Sequence, residues 1–351
     1  MSSYKKLTVP EVCDRLVFLA EKGKRLLILG HVNPDGDCIG STFALREIYT
    51  KLGGKAHCAC PSEAPAYLDF LLNDQKSVRY MREMEKNFDA IWTVDVASPA
   101  QLGIMSDLAP QISVSIDHHG IGTVFSDGFI EPKASAAGEL VFVIYEELLG
   151  RGKLTASPVI CRAIYAAISA DTGSFQYNNT TPRTFAIASR LKETIDTAED
   201  GGLYAHEISY RLHGCRTMTE LSAQKLVIEH MHLACDGKLA HVCIPADLPE
   251  KEGLTEADFG GMVDIPRSVT GVLVGLALRE NRRERGSYKV SVRANCNIDV
   301  AAAMAVFGGG GHTRAAGATV IGATPEEATE KVIAVLAEAI DAYERGIHGA
   351  E

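Results

Sequence analysis

Residues 25–41 read "RLLILGHVNPDGDCIGS". An apolar run of strand length ends at Gly30, and a histidine and two aspartates follow within seven residues, spaced around Pro34 and Gly36. Short apolar runs bounded by turn residues mark buried strands. A loop needing only solubility has no use for His31, Asp35 and Asp37 at fixed spacing, so their meaning depends on what the rest of the chain sets beside them.

Three further stretches repeat the pattern. "AIWTV" (90–94) runs into Asp95, "ISVSI" (112–116) into Asp117, His118 and His119, and the helix-like "AIYAAISA" (163–170) into Asp171. Between these runs, 41–53, 137–150 and 157–171 show apolar residues at helical spacing. Strand and helix in alternation predict an α/β fold with a parallel sheet, whose ligands collect at the carboxyl ends of the strands. Parallel neighbours would then bring all four acidic clusters to one edge. The carboxylates of Asp35, Asp37, Asp95 and Asp171 would repel one another there. Two divalent cations supply the matching charge. Mixed carboxylate and imidazole donors suit Mn²⁺ best, with Co²⁺, Fe²⁺ or Zn²⁺ next and Mg²⁺ poorer. Such a pair of ions suits hydrolysis of a phosphate ester or anhydride.

Composition bounds the rest. At 351 residues the chain exceeds one ordinary core. The polar, acidic stretch "RLKETIDTAEDGG" (190–202) predicts a domain boundary: a catalytic domain over 1–195, a linker over 196–218, and a smaller α/β domain with a mixed sheet over 219–351. In that second part 238–244, 268–280 and 287–295 read as strands, and "RENRRERGS" as a solvated hairpin turn. Thr324, Pro325 and Glu327 mark the start of a last helix. The net charge of −10 argues against binding long duplex nucleic acid. No apolar run reaches the roughly 18 residues of a membrane span. The first residues lack the apolar core of a secretory signal, and nine cysteines show no repeating spacing, so reduced thiols and a cytoplasmic location are expected.

In their order and spacing, "HVNPDGDCIGS", "VDVAS", "DHHG" and "ADTGSFQY" resemble the four motifs of the DHH phosphoesterases. "FGGGGHTRAAGA" (307–318) resembles the glycine-rich motif of the DHHA1 domain that accompanies them. The resemblance implies that His31, Asp35 and Asp95 hold one cation, and Asp37, Asp95, His118 and Asp171 the other, with a water between them as nucleophile. It places His119 beside the substrate phosphate and implies that Asp117 orients the histidines. In the second domain it implies substrate contacts by Arg293, Gly309, Gly310, Gly311, His312 and Arg314. Ala294 stands where the family often has serine.

The two-domain length is similar to the nanoRNase type, which implies short oligoribonucleotides or small nucleotides such as pAp (3′,5′-bisphosphoadenosine) as substrates, and allows a homodimer. The neighbouring reading is a cytosolic cyclic-di-AMP or pApA phosphodiesterase. A manganese pyrophosphatase lacks the glycine run, and a non-catalytic nucleotide-binding regulator has no need of a full ligand set.

Overall fold

The computed structural model describes residues 4–71, 78–79, 87–120 and 122–348, with Val78, Arg79, Glu250, His312, Ile347 and His348 described by backbone alone. The chain forms two compact units, Met1–Cys215 and Arg216–Glu351.

The first unit is built on six parallel strands: β1 (Arg25–Leu29), β2 (Lys55–Cys60), β3 (Val78–Arg79), β4 (Ala90–Val94), β5 (Ile112–Asp117) and β6 (Asp127–Ile130). Their order is β3-β2-β1-β4-β5-β6, so the chain reverses its direction of winding between β1 and β4. In open α/β sheets the crevice at such a switch point takes the ligand. Helices α1 (Val9–Glu21), α2 (Gly36–Lys51), α3 (Ala137–Gly150), α4 (Pro158–Asp171) and α5 (Pro182–Asp196) complete most of the unit. Helix α2 is buried on nearly every side from Gly36 to Tyr49. It can lie against α4 because position 40 is glycine: a Cβ there would stand 2.5 Å from the Ala163 carbonyl oxygen.

Two stretches differ from the sequence expectation. "KAHCAC" is strand β2, which its weak apolar pattern conceals. Residues 196–215, read as linker, belong to the first unit, where α6 (Ala205–Ser209) buries Ala205 and Ile208 in the main core. Apolar residues at 203, 205, 208 and 212 give that stretch a face to bury.

The second unit is a mixed six-stranded sheet of order β11-β12-β10-β9-β8-β7. Its strands are β7 (Met231–Ala234), β8 (Leu239–Ile244), β9 (Val274–Glu280), β10 (Ser287–Ala294), β11 (Gly310–His312) and β12 (Ala315–Ile321). All its pairings are antiparallel except β8 with β9. Its helices are α7 (Met218–Glu229), α8 (Asp247–Lys251), α9 (Asp264–Arg267), α10 (Val300–Ala305) and α11 (Pro325–His348). Apolar residues of α10 and α11, among them Met304, Val332 and Leu336, share a core with Tyr288, Val290 and Val292 of β10. Residues 268–273, expected as part of a strand, form the turn that leads into β9. Among the described residues no disulfide joins any of the nine cysteines. Among the described residues no helix is long and apolar enough to cross a membrane.

Candidate metal centre

The carboxyl ends of β1, β4 and β5, three adjacent strands, deliver His31, Asp95 and the Asp117–His119 run to one edge, and α2 and α4 add Asp35, Asp37 and Asp171. The backbone is specialised at two of these points. Asp95 has φ 61°, and Asn33 has φ 52°, both in the left-handed region that non-glycine residues seldom adopt.

His118 lies at the centre. Its Nε2 stands 3.5 Å from Asp95 Oδ1, 3.6 Å from Asp171 Oδ2 and 3.7 Å from Asp37 Oδ2. Its Nδ1 is 3.3 Å from the Ala134 carbonyl oxygen, to which it donates. His31 repeats the scheme: Nδ1 donates to the Val32 carbonyl at 2.8 Å, and Nε2 faces Asp95 Oδ2 at 3.3 Å and Asp35 Oδ1 at 3.9 Å. A ring fixed through Nδ1 presents Nε2 as donor to a cation, the arrangement usual at metal sites.

The acids are held just as firmly. Asp37, 1 % exposed, accepts from the Ser41 hydroxyl at 2.8 Å and from the N–H groups of Ala137 and Gly138 at 2.7 and 3.0 Å. The first turn of α3 thus points its unpaired donors at that carboxylate. Asp35 caps α2, accepting from the Asp37 and Cys38 N–H groups at 3.0 Å each, and its side chain is half exposed. Asp171 ends α4, and its carbonyl accepts from the Asn179 side chain at 3.0 Å. Asp117 accepts from His119 Nδ1 at 2.7 Å.

The electrostatics call for positive charge. Burial raises Asp171 to about 7, helped by Asp35 and Asp95 and opposed by His118. Burial, then the charge of Asp95, raises Asp37 well above the carboxylate range. Burial works against the charge of Asp95 too, but His118 and His31 outweigh it and hold its carboxyl low. Burial also acts to lower the two histidines, yet their interaction with Asp95 pushes both up to about 10. The cluster therefore gathers protons where cations would otherwise balance it. Asp95 Oδ1, buried and with no hydrogen-bond partner, is a donor atom still to be satisfied. These residues fit divalent cations: Asp37, His118 and Asp171 offer one set of donor atoms within 4.8 Å of one another, and Asp95, His118 and His119 offer another. A third set joins His31 and Asp95 to the Cys38 thiol. Sequence spacing gave no hint of that thiol.

In the second unit, Arg293 lies on β10 beside Gly275 of β9 and Ala315 of β12. It lines a cavity of about 500 Å³ with Arg279, Lys289, Ser291, Gly310 and Gly317. The glycine run leaves a turn at Gly308 and enters an edge strand at its last two residues: Gly310 pairs with Gly317 and Gly311 with Ala316. A Cβ at Gly309 would meet the Gly317 carbonyl at 2.2 Å. Arg314 precedes β12, accepts from the Ala294 N–H through its carbonyl, and does not line that cavity. The His312 side chain lies outside the described residues.

Comparison with known proteins agrees with this two-unit α/β fold. The model of the DHH family's N-terminal domain matches residues 25–168, and that of the DHHA1 domain matches 236–342. The bifunctional oligoribonuclease and PAP phosphatase NrnA of Thermus thermophilus is 29 % identical over 94 % of this chain and 95 % of its own length. The cyclic-di-AMP phosphodiesterase GdpP of Geobacillus thermodenitrificans is 25 % identical over 93 % of this chain, which spans 49 % of that relative. An exopolyphosphatase-related protein from Bacteroides fragilis superimposes with a TM-score of 0.80 at 24 % identity, over 94 % of this chain and 96 % of that one.

Proposed function

The chain belongs to the DHH family and carries a DHHA1 domain, and from that premise we propose that it hydrolyses short oligoribonucleotides to 5′-mononucleotides and pAp to AMP and phosphate. The observation that carries the reading is the convergence of three carboxylates on His118 Nε2, with His31 and Asp35 on the far side of Asp95. We assign His31, Asp35 and Asp95 to one divalent cation and Asp37, Asp95, His118 and Asp171 to the second, with Mn²⁺ the best match to the donors. Bound there, such ions neutralise the carboxylates, acidify a water and draw charge from a phosphoryl group.

The protein's own groups supply the rest. Asp95 belongs to both donor sets, and its left-handed backbone turns the carboxylate between the two histidines. Asp117 fixes the His119 ring and favours its protonated form, so His119 is suited to hold a proton against a phosphoryl or leaving oxygen. Arg293 and the glycine strand are assigned to a substrate phosphate other than the scissile one, which the guanidinium and nearby backbone N–H groups suit. The named activity of the NrnA relative, similar along almost the whole chain, supports this choice of substrate.

The likeness to the cyclic-di-AMP phosphodiesterase supports a second reading, hydrolysis of cyclic-di-AMP. Conversion of pApA and pAp to AMP, and of cyclic-di-AMP to pApA or AMP, by purified protein with Mn²⁺, against a chelator-treated control, separates the two. Turnover of pApA and pAp that chelation abolishes is the expected result. Turnover of cyclic-di-AMP alone would replace the proposal with the second reading.

A further inference from the structure

Cysteine 38 follows Asp37 in the first turn of α2 and is fully buried. Its Sγ, a ring nitrogen of His31 and a carboxylate oxygen of Asp95 all lie within 4.8 Å of one another. Donors about 2.0–2.3 Å from a single ion stand at most about 4.6 Å apart, so these three atoms are near the span of one ion's ligands and would have to draw inward on binding. Two other buried thiols are committed to the backbone: Cys13 donates to the Ile144 carbonyl and Cys58 to that of Thr42. Cys38 instead has a second sulfur for company, that of Cys60 at the end of β2.

Gly30 keeps this corner open. A Cβ at that position would stand 2.3 Å from Cys38 Sγ and 2.9 Å from Cys60 Sγ, so any other residue would push the sulfurs out of place. Asp95, 3 % exposed, turns Oδ2 toward His31 at 3.3 Å and keeps its unpartnered Oδ1 on the side of His118. The corner therefore holds an imidazole, a carboxylate and a thiol facing one another, a donor set suited to a borderline or soft cation.

We propose that Cys38 is a ligand of the cation held by His31 and Asp95, making that position prefer thiophilic ions such as Co²⁺, Fe²⁺, Zn²⁺ or Cd²⁺ over Mg²⁺. The inference rests on the reading of this edge as a divalent-cation site. Binding replaces the thiol proton: the S–H bond breaks, the sulfur lone pair goes to the ion, and one proton leaves to solvent. Cys60 Sγ lies in the same corner beside Gly30 and becomes the neighbour of the ligating sulfur there. Thiolate donors favour these ions, whereas Mg²⁺ favours oxygen, so the two cation positions become unequal.

The test is cobalt titration of full-length protein stripped with a chelator, followed by absorption. Wild type and Cys60→Ser should show a near-ultraviolet sulfur-to-cobalt charge-transfer band. Cys38→Ser should bind cobalt, seen in its visible absorption, without that band. Affinity for Cd²⁺ should fall by about tenfold or more in Cys38→Ser, while that for Mg²⁺ changes little. Cys38→Ala gives the same comparison should the serine variant misfold. Cobalt bound to wild type without the sulfur band would overturn the cysteine assignment alone, as would a band that survives in Cys38→Ser. Failure to bind cobalt at all would overturn the cation reading with it.

Discussion

Both units are six-stranded sheets, yet they gather charged residues in different ways. In the first, parallel strands all leave by the same edge, so His31, Asp95 and His118 meet although they come from three separate strand ends. In the second, antiparallel neighbours leave by opposite edges, and the useful positions are alternate residues on one face. Lys289 lies beside Arg279 and Thr319, and Arg293 beside Gly275 and Ala315. A parallel sheet thus concentrates chemistry in its loops, and an antiparallel one spreads a binding surface along its strands. Catalysis is expected at the first and affinity at the second.

That division can be broken by mutation. Asp95→Ala removes the carboxylate that faces both His31 and His118 and is proposed to serve both cations, and should reduce turnover by on the order of 10³-fold or more, with loss of cation binding. Steady-state kinetics with a metal titration checks this, and near-normal turnover would remove Asp95 from its shared position. Arg293→Ala should raise KM by roughly 10- to 100-fold and leave kcat within a few-fold, the loss of one charge-assisted contact. A fall in kcat at constant KM would place chemistry in the second sheet and end the division.

The same comparison has a pH signature. In metal-free protein His31 and His118 are raised from 6.5 to about 10 and Asp171 from 3.8 to about 7, so the folded state holds more protons than the unfolded state over that range. Stability contributed by this edge is therefore present at the acid end and lost as pH rises toward 10. Cations displace those protons, so the rise in Tm on adding Mn²⁺ should be larger near pH 8 than near pH 6. Differential scanning fluorimetry of chelated and loaded samples reads the difference, and an equal rise at both pH values would contradict it. The smallest effect belongs to the second sheet. Asp299 caps α10 by accepting from the Ala302 N–H at 3.0 Å, and Asp299→Ala should cost about 1 kcal/mol in urea unfolding while leaving cation binding unchanged.

How much of this was legible in the sequence follows from the same contrast. Strands β1, β4 and β5 and helices α3 and α4 could be read because each is an apolar run with clear ends, and each acid follows directly on its run. Strand β2, "KAHCAC", was not legible, since its burial comes from neighbours and its pattern is half polar. In the second unit, β12 reads as a string of small residues, and the face shared by Arg279, Lys289 and Arg293 exists only once register is known. Cys38 stayed hidden for a related reason: only the fold reveals that its helix position opens on His31 and Asp95.

The left-handed backbone of Asp95 has a consequence for how this protein can change over time. A side chain bearing a Cβ in that conformation is strained, by about 1 kcal/mol or more. Glycine at position 95 would relieve that strain, and once His31 and His118 had also changed, nothing would hold the carboxylate in place. Selection for stability alone would drift toward it, so the persistence of aspartate there would mark descendants that still depend on the reaction, and a glycine those that have kept the fold for another use.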